Sequence, residues 1–571
     1  MNSSGKGKGT GGKGGGGKGG GGKGGGGKGG GGKGGGGERK GNRRAAQMAA
    51  VDAKSNQEAD FFWACVARAQ KGTGKRVHGK AEELFGKQLT QGINFAQYEQ
   101  IPVSRSCRDP SVKACEQIPT LEHFRDLQRN LPPFLFQNVQ RMGYSVPTPI
   151  QKHAVPLALD GRADLMCCAQ TGSGKTCAFL LPSIALIATS GGLPLLSARE
   201  TPAWPRVLVL APTRELAIQI QVEAMKLTFG SAYFASVVYG GASARGQLEE
   251  LAQGVDVLVA TPGRLSDFLE RGLVSLACCK VLILDEADRM LDMGFEPQLR
   301  KIVEKADLPP TAGRRTLMFS ATFPESIQRL AANYLRPYAY IAVGRVGSTT
   351  ASISQRLVHA QANSKPVKMA LLLSALKTTS EDAAAVASGN GETDHAAAFQ
   401  ACGEAGEEMP SAPPLGRTIV FVQKKHVASW VKKELVKKYG VAAEDIHGDR
   451  NQSQREAALA RFKEGTVSVL VATDVAARGL DVPNVNHVVN YDLPVSSDDF
   501  DSYVHRIGRT GRAGNTGLAT SFYVPGTDAK TGNNGALWKP LHALFLESKQ
   551  PLPAWFATLP EARGGGGGGA G

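Results

Sequence analysis

Three short segments hold residue types suited to a nucleoside triphosphate. Ala169-Gln170-Thr171-Gly172-Ser173-Gly174-Lys175-Thr176 follows a strand-like run and opens an apolar helical stretch from Cys177. That setting makes the Gly-rich match a phosphate loop. Gly172 and Gly174 let backbone N–H groups close around phosphates at a helix N-terminus, Lys175 supplies charge to the β and γ phosphates, and the Thr176 hydroxyl suits Mg²⁺. Asp285-Glu286-Ala287-Asp288 ends the apolar run 281–284, so its first carboxylate emerges at the C-terminal edge of a strand, where ligands of parallel sheets bind. Asp285 there suits the metal, and Glu286 suits the base or orienter of an attacking water. His505-Arg506-Ile507-Gly508-Arg509-Thr510-Gly511-Arg512 places three guanidinium groups on one Gly-punctuated segment. Arg509 and Arg512 suit arginine fingers for charge developing on a γ phosphate, while a basic RNA-binding surface stays the alternative for Arg506.

These groups need strands behind them. Between Arg162 and Thr322, apolar runs rich in β-branched residues alternate with helical patterns, at 164–169, 206–212, 235–241, 255–261, 280–285 and 316–322. Runs apolar on both faces suit the buried strands of a parallel sheet. The pattern returns at 418–423, 467–473, 486–492 and 519–524. The sequence thus predicts two α/β domains, at 119–345 and 346–530, with 45–118 as an N-terminal extension and 531–571 as a C-terminal extension with a Gly-rich end. Arg345 to Ser354, polar and rich in Gly, Ser and Thr, suits the linker. Thr378 to Gly416 has seven acidic residues and no Lys or Arg, which predicts a disordered acidic insertion.

The net charge of the 571 residues is +16, yet Met1 to Arg44 alone carries +10 and holds 26 of the 71 glycines. That segment repeats K-G-G-G-G every five residues and offers no side chain for a core, so 1–44 is expected to be a disordered tail. As a Gly-rich coil it would reach roughly 35 Å. It serves first as a solubilising tail and second as a weak tether for nucleic acid, because the repeat lacks aromatics and Arg. Nine cysteines, an odd count, form no C-x-x-C pair and no His-linked metal spacing, which favours a reducing compartment without structural zinc. No apolar leader opens the chain, and Ala178 to Ala188 falls short of the ~20 residues a membrane span needs. Secretion and membrane insertion are not expected, and the setting inferred is intracellular and cytoplasmic, with the nucleus as a further site.

The remaining motifs carry a resemblance. Pro147-Thr-Pro-Ile-Gln151, Pro212-Thr-Arg-Glu-Leu-Ala217, Gly240-Gly241, Thr261-Pro-Gly-Arg264, Ser320-Ala-Thr322, Ala472-Thr-Asp-Val-Ala-Ala-Arg-Gly-Leu-Asp481 and His505 to Gly514 join the phosphate loop and Asp285 to Asp288. With them, Gly92 to Trp555 resembles a DEAD-box ATP-dependent RNA helicase. Gly92 to Val103 and Gln550 to Trp555 further resemble the subfamily linked to translation initiation, called Ded-one in yeast.

The resemblance implies tandem RecA-like domains that close on ATP, Mg²⁺ and single-stranded RNA. By it, Gln151 bonds the adenine edge and Phe124 stacks on the ring, with a place in the core as the alternative for Phe124. Ala169 to Thr176 and Gly479 join the nucleotide site, and Asp481 contacts the ribose or else serves as a turn residue before Pro483. Asp288, Ser320, Thr322 and His505 couple nucleotide to RNA, a strand-end turn being the alternative for Ser320 and Thr322. Pro212, Thr213, Arg214, Gly240, Gly241, Thr261, Pro262, Gly263 and Arg264 grip RNA from the first domain, and Gln452, Arg455 and Thr473 from the second. Small, hydroxyl and Arg side chains suit phosphates and 2′-hydroxyls, so RNA binding is expected to be largely independent of sequence.

The implied activity is local unwinding of short RNA duplexes or remodelling of RNA–protein complexes, with translation-initiation assemblies among the partners. Two other readings use the same motifs: an ATP-gated RNA clamp or scaffold with little strand displacement, and a DNA-dependent motor. No accessory helical or winged-helix module is read after Pro525, so processive translocation is not expected.

Overall fold

The computed structural model describes residues 55–71, 76–86, 101–170, 172–190, 203–344, 353–387, 413–474, 482, 484–494, 496, 499–511, 516–528 and 531–563. The basic tail, most of the linker, most of the acidic insertion, and Thr171, Gly479, Asp481 and Arg512 lie outside these.

Two sheets organise the chain, in tandem RecA-like domains of mixed α/β type. The first contains β1 (Val103–Cys107), β2 (Asp164–Cys168), β3 (Val207–Leu210), β4 (Ala235–Val238), β5 (Val257–Ala260), β6 (Val281–Leu284), β7 (Arg315–Ser320) and β8 (Tyr338–Val343), in the order β1-β8-β2-β7-β6-β3-β5-β4. All pairings are parallel except β1 against β8, with Val103 opposite Val343. Helices cover both faces. Leu165, Val207, Val209, Val257, Val259 and Ile283 enter one apolar cluster, while their neighbours Met166, Leu208, Leu210, Leu258, Leu282 and Leu284 enter the other. Because successive side chains of a strand point to opposite faces, burial on both faces makes the strand continuously apolar.

The second sheet contains β9 (Ile353–His359), β10 (Thr418–Phe421), β11 (Ala443–Ile446), β12 (Val469–Ala472), β13 (His487–Asn490) and β14 (Gly517–Tyr523), all parallel, in the order β11-β12-β10-β13-β14-β9. Four strands were not read from the sequence: β1, β8, β9 and β11. β11 carries Glu444 and Asp445, both buried; Arg461 and Lys432 pair with the first, and Arg450 with the second. Partnered carboxylates hide a strand from an apolar-run search.

The boundaries differ from expectation as well. Ile353 and Ser354, assigned to the linker, already belong to β9. The span assigned to a disordered insertion begins with a helix, Ser380–Ala387, where Thr379 N and Oγ1 both donate to Asp382 Oδ2 at 2.8 Å. Beyond residue 530, helix Trp538–Glu547 packs Leu541, Leu544 and Phe545 into one cluster with Tyr503 and Ile507, so this segment is part of the second domain's core rather than an appendage.

Functionally the central fact is that β2, β7 and β6 are neighbours. In a parallel sheet their C-terminal ends lie on one edge, which brings the segments after Cys168, Ser320 and Leu284 side by side. The first residue of β2 is anchored too. Asp164, fully buried, accepts from Arg336 N at 2.8 Å, Nε at 3.0 Å and Nη2 at 2.7 Å. Asp164→Ala leaves these donors unmatched and should lower stability by about 3 kcal/mol; urea unfolding measures it, and an unchanged midpoint would deny the pair that role.

Candidate nucleotide-binding and RNA-binding site

The phosphate loop leaves β2 and enters helix Lys175–Thr189, whose N-cap Gly174 is left-handed at φ 88°. Gly172, at φ 81°, is left-handed too. A Cβ on Gly174 would meet Gln151 Nε2 at 2.6 Å and Thr148 Oγ1 at 3.0 Å, so glycine is required twice, by backbone angle and by space. Gln151 and Thr148 form a brace. Thr148 N donates to Gln151 Oε1 at 2.9 Å, Thr148 Oγ1 donates to Ser173 O at 2.7 Å, and Gln151 Nε2 donates to Gly174 O at 3.0 Å. The residue expected to read adenine therefore has its carbonyl and one amide hydrogen committed to the helix cap and the loop. Ser173 Oγ closes the loop internally on Gln170 O at 2.8 Å, and Lys175, 7% exposed, reaches back to Ala169 O at 2.9 Å.

Phe124 does not stand over this loop as an open stacking face. It is 1% exposed within the first apolar cluster and stacks on Tyr144 with centroids 5.4 Å apart. Of the two roles weighed for it, the structure gives the core one.

At the end of β6, Asp285 is 3% exposed and burial pushes its carboxyl up to about 7, with Glu286 and Asp288 adding to that and Lys175 opposing. A buried carboxylate in that condition calls for a cation. Glu286 adopts φ 50° and ψ 53° at the cap of helix Ala287–Asp292, a costly region for a residue with a Cβ. Its buried Oε2 has no hydrogen-bond partner among the described residues. Two buried carboxylates, one with an oxygen unmatched among the described residues, form an oxygen donor set that fits a hard divalent cation such as Mg²⁺.

Asp288 is the meeting point. Its Oδ2 accepts from Ala321 N at 3.1 Å, Thr322 N at 3.0 Å and Thr322 Oγ1 at 3.0 Å, and His505 Nε2 of the second domain stands 3.8 Å away. The structure thus joins three of the four expected coupling residues. Ser320 is the exception: its hydroxyl is fully buried without a hydrogen-bond partner among the described residues, and it serves the site through its carbonyl, which accepts from Ala169 N at 3.0 Å.

In the second domain, Arg506 is neither a finger nor a surface cation. It is 2% exposed, donates to Asp474 at 2.6 and 2.5 Å and to Asp492 O at 2.5 Å, and lies over the Phe421 ring. Arg509 is also buried, held in the turn that follows helix Phe500–Ile507, where Thr510 Oγ1 donates to Val485 O at 2.6 Å.

The residues expected to grip RNA fall into two kinds. Gly240, Gly241 and Gly263 have open space where a Cβ would stand, so their backbone is approachable. Pro212, Thr213, Thr261, Pro262 and Thr473 are buried at strand or helix ends, Thr213 capping helix Arg214–Thr228 and Thr473 N donating to Ile446 O at 3.2 Å. Arg264 donates to Ala242 O at 3.1 Å. Arg214, by contrast, pairs with Glu456 across the domains, and Arg455 pairs with Glu215 at 3.5 Å in the opposite sense; Gln452 Nε2 steadies Glu456 at 2.9 Å. Glu215 and Glu456 were not anticipated. Their place inside the arginine-bearing motifs was the available signal.

A phosphate loop, a carboxylate cluster beside it and a second parallel-sheet domain that meets that cluster define a two-domain nucleoside triphosphatase. Residues 148–330 match the family model described as DEAD/DEAH box helicase, and residues 407–514 match the helicase conserved C-terminal domain. The S. cerevisiae Dbp5 structure bound to RNA and ADP BeF₃ is similar at 27% identity over 75% of this chain and 93% of that one, with a TM-score of 0.55. A DEAD box protein from the hyperthermophile Methanococcus jannaschii is 30% identical over 76% of this chain and 98% of its own, with a TM-score of 0.39. Mss116p bound to ssRNA and AMP-PNP shares the fold at 24% identity over 76% of this chain and 80% of its own, with a TM-score of 0.58. The chain belongs to the DEAD-box helicase family, and is an ATP-hydrolysing RNA helicase. No described helix is long and apolar enough to cross a membrane.

Gly174→Ala should weaken ATP binding about tenfold or more, since one disfavoured backbone position costs about 1–3 kcal/mol. Gly240→Ala, with open space around it, should leave ATP binding unchanged. Calorimetric titration separates the two, and equal affinities would show that the brace does not constrain the loop.

Proposed function

We propose that the two domains form a clamp that closes on ATP and single-stranded RNA, distorts one strand of a short duplex and releases it after hydrolysis. The observation that carries this reading is the convergence on Asp288, where one carboxylate holds the Ser320–Thr322 segment and meets the second domain's His505. The reciprocal pairs Arg214–Glu456 and Arg455–Glu215 support it, because they show the candidate RNA residues of both domains within reach of one another.

In this reading Lys175 holds the β and γ phosphates, and backbone N–H groups from Gly172 to Lys175 cradle them. Thr176 and Asp285 would hold Mg²⁺, which when bound neutralises phosphate charge. Glu286, kept in its left-handed conformation, aims its carboxylate at the attacking water. Arg509 and Arg512 meet the charge that develops as the γ phosphate leaves, so neither domain hydrolyses efficiently alone. Gly240, Gly241, Gly263, Arg214, Arg264, Gln452 and Arg455 hold RNA by its backbone, the arginines exchanging carboxylate partners for phosphate. Gln151 acts chiefly as the brace that sets the loop, and reads adenine with its remaining amide hydrogen.

The finer assignment to translation initiation rests on the likeness of 92–103 and 550–555 to that subfamily. Part of the second segment has structural work as well: Gln550 Oε1 accepts from Gln355 N at 2.8 Å, and Trp555 lies 5.0 Å from His359. An intracellular setting agrees with eight free cysteines among the described residues.

Glu286→Gln should retain ATP and RNA binding while turnover falls by about 10²- to 10⁴-fold, as single-turnover hydrolysis would show. Arg509→Ala should lose about 10³-fold or more of RNA-stimulated hydrolysis without loss of nucleotide binding. Strand displacement on a short duplex with a single-stranded overhang tests the activity itself. ATP-dependent binding without displacement would favour a scaffold, and equal stimulation by DNA would overturn RNA specificity.

A further inference from the structure

The helix at 55–70 lies against the first domain, where Phe62 and Val66 enter one of its two apolar clusters and Ala59 and Phe61 pack at the margin. Two further contacts fix it. Glu58 Oε2 pairs with Arg271 Nη1 at 3.0 Å, just past helix Pro262–Glu270, and Phe61 presents its ring to Arg245, whose guanidinium carbon stands 4.5 Å from the ring centroid. Arg245 is the second residue of helix Ala244–Ala252, which Ser243 caps directly after the Gly240–Gly241 turn. Helical side chains lean towards the N-terminus, so Arg245 leans back towards that turn. Arg264 reaches the same turn from the neighbouring helix, donating to Ala242 O at 3.1 Å. The two arginines differ in what they have committed. Arg264 is half-buried and gives a hydrogen to the main chain, whereas Arg245 is exposed, donates no side-chain hydrogen bond and meets no carboxylate among the described residues, although Glu249 stands one turn further along its helix. An aromatic ring holds a cation through its quadrupole and offers no lone pair, so the N–H donors of Arg245 stay open to an anion.

We propose that Arg245 is a further RNA-binding residue, a contact for a phosphate of the single strand beside Gly240 and Gly241, and that Phe61 is the positioning residue that holds it ready. The inference rests on the reading that this turn and Arg264 grip RNA. A long side chain loses rotamer freedom when it takes up a phosphate, and one already laid on a ring has less to lose. The guanidinium can offer two parallel N–H groups to two phosphate oxygens. Unlike Arg214 and Arg455, it has no carboxylate to leave first. The N-terminal extension thus acts on RNA through one ring, and because the contact is to a phosphate it adds affinity without choosing among bases.

The test uses the full chain, a fluorescent single-stranded oligouridine and a non-hydrolysable ATP analogue, with affinity measured over a salt series. Arg245→Gln should bind the RNA about 3- to 10-fold more weakly at low salt, and its log–log salt slope should be shallower by about 0.7, the share of one phosphate contact on a single strand. Phe61→Leu keeps the apolar packing and every charge but removes the ring, so affinity should fall about two- to fivefold with the salt slope unchanged. A merely structural role for Phe61 would weaken binding equally in an Arg245→Gln background; the proposal expects no further loss there. Arg264→Ala serves as the control for the turn itself. If Arg264→Ala weakens RNA binding while Arg245→Gln keeps both the wild-type affinity and the wild-type slope, the inference is overturned. If Arg264→Ala and Arg245→Gln both bind as wild type does, the RNA-gripping role of the turn fails instead.

Discussion

A single carboxylate oxygen, Asp288 Oδ2, carries more of this molecule's logic than any other atom. Three donors from Ala321 and Thr322 converge on it, and His505 faces it from the other domain. An ionised carboxylate that accepts several hydrogens in a buried place is strongly favoured over any arrangement that leaves it short. The loop after β7 therefore cannot shift without disturbing Asp288, and Asp288 cannot shift without disturbing the strained Glu286 two residues before it. Coupling here consists of shared hydrogen bonds between groups with few alternative partners.

The sheet makes that convergence possible. Placing β2, β7 and β6 side by side delivers the phosphate loop, the Ser320–Thr322 segment and the acidic turn to one edge, although some 150 residues separate the first two in sequence. Lys175 and Ser320 tie to Ala169 from two directions, so the loop and its neighbour strand move as a unit. Burial does the rest, because a dry environment raises both the cost of an unmatched charge and the value of a matched one.

Much of this was legible from residue order. Continuous apolar runs marked β2 to β7, β10, β12, β13 and β14, and Gly-Lys-Thr after one of them located the phosphate loop. What escaped were strands whose polar residues are satisfied by charged partners on neighbouring elements, as in β11 with Glu444 and Asp445, and strands outside the searched interval, as in β1 and β8. At the site, residue type alone could not say that Phe124 would be spent on Tyr144, that Arg506 would be buried against Asp474, or that Gln151 would serve the loop. Each is a matter of which partner wins in three dimensions. Glu215 and Glu456 went unnoticed because acidic residues in an RNA-facing motif look out of place until the arginines opposite them are known.

The two margins of the first sheet are finished differently. β8 is capped by the antiparallel β1, whereas β4 is met by Arg76, which donates to Ala235 O at 2.8 Å and Gly254 O at 2.6 Å and pairs with Glu250. An unpaired strand rim is a template for self-association. A fragment trimmed to the start expected from sequence, residue 119, would strip both covers at once and expose main-chain donors and acceptors along β8, inviting a second copy to pair there. The segment read from sequence as an N-terminal extension thus covers both margins of the first sheet.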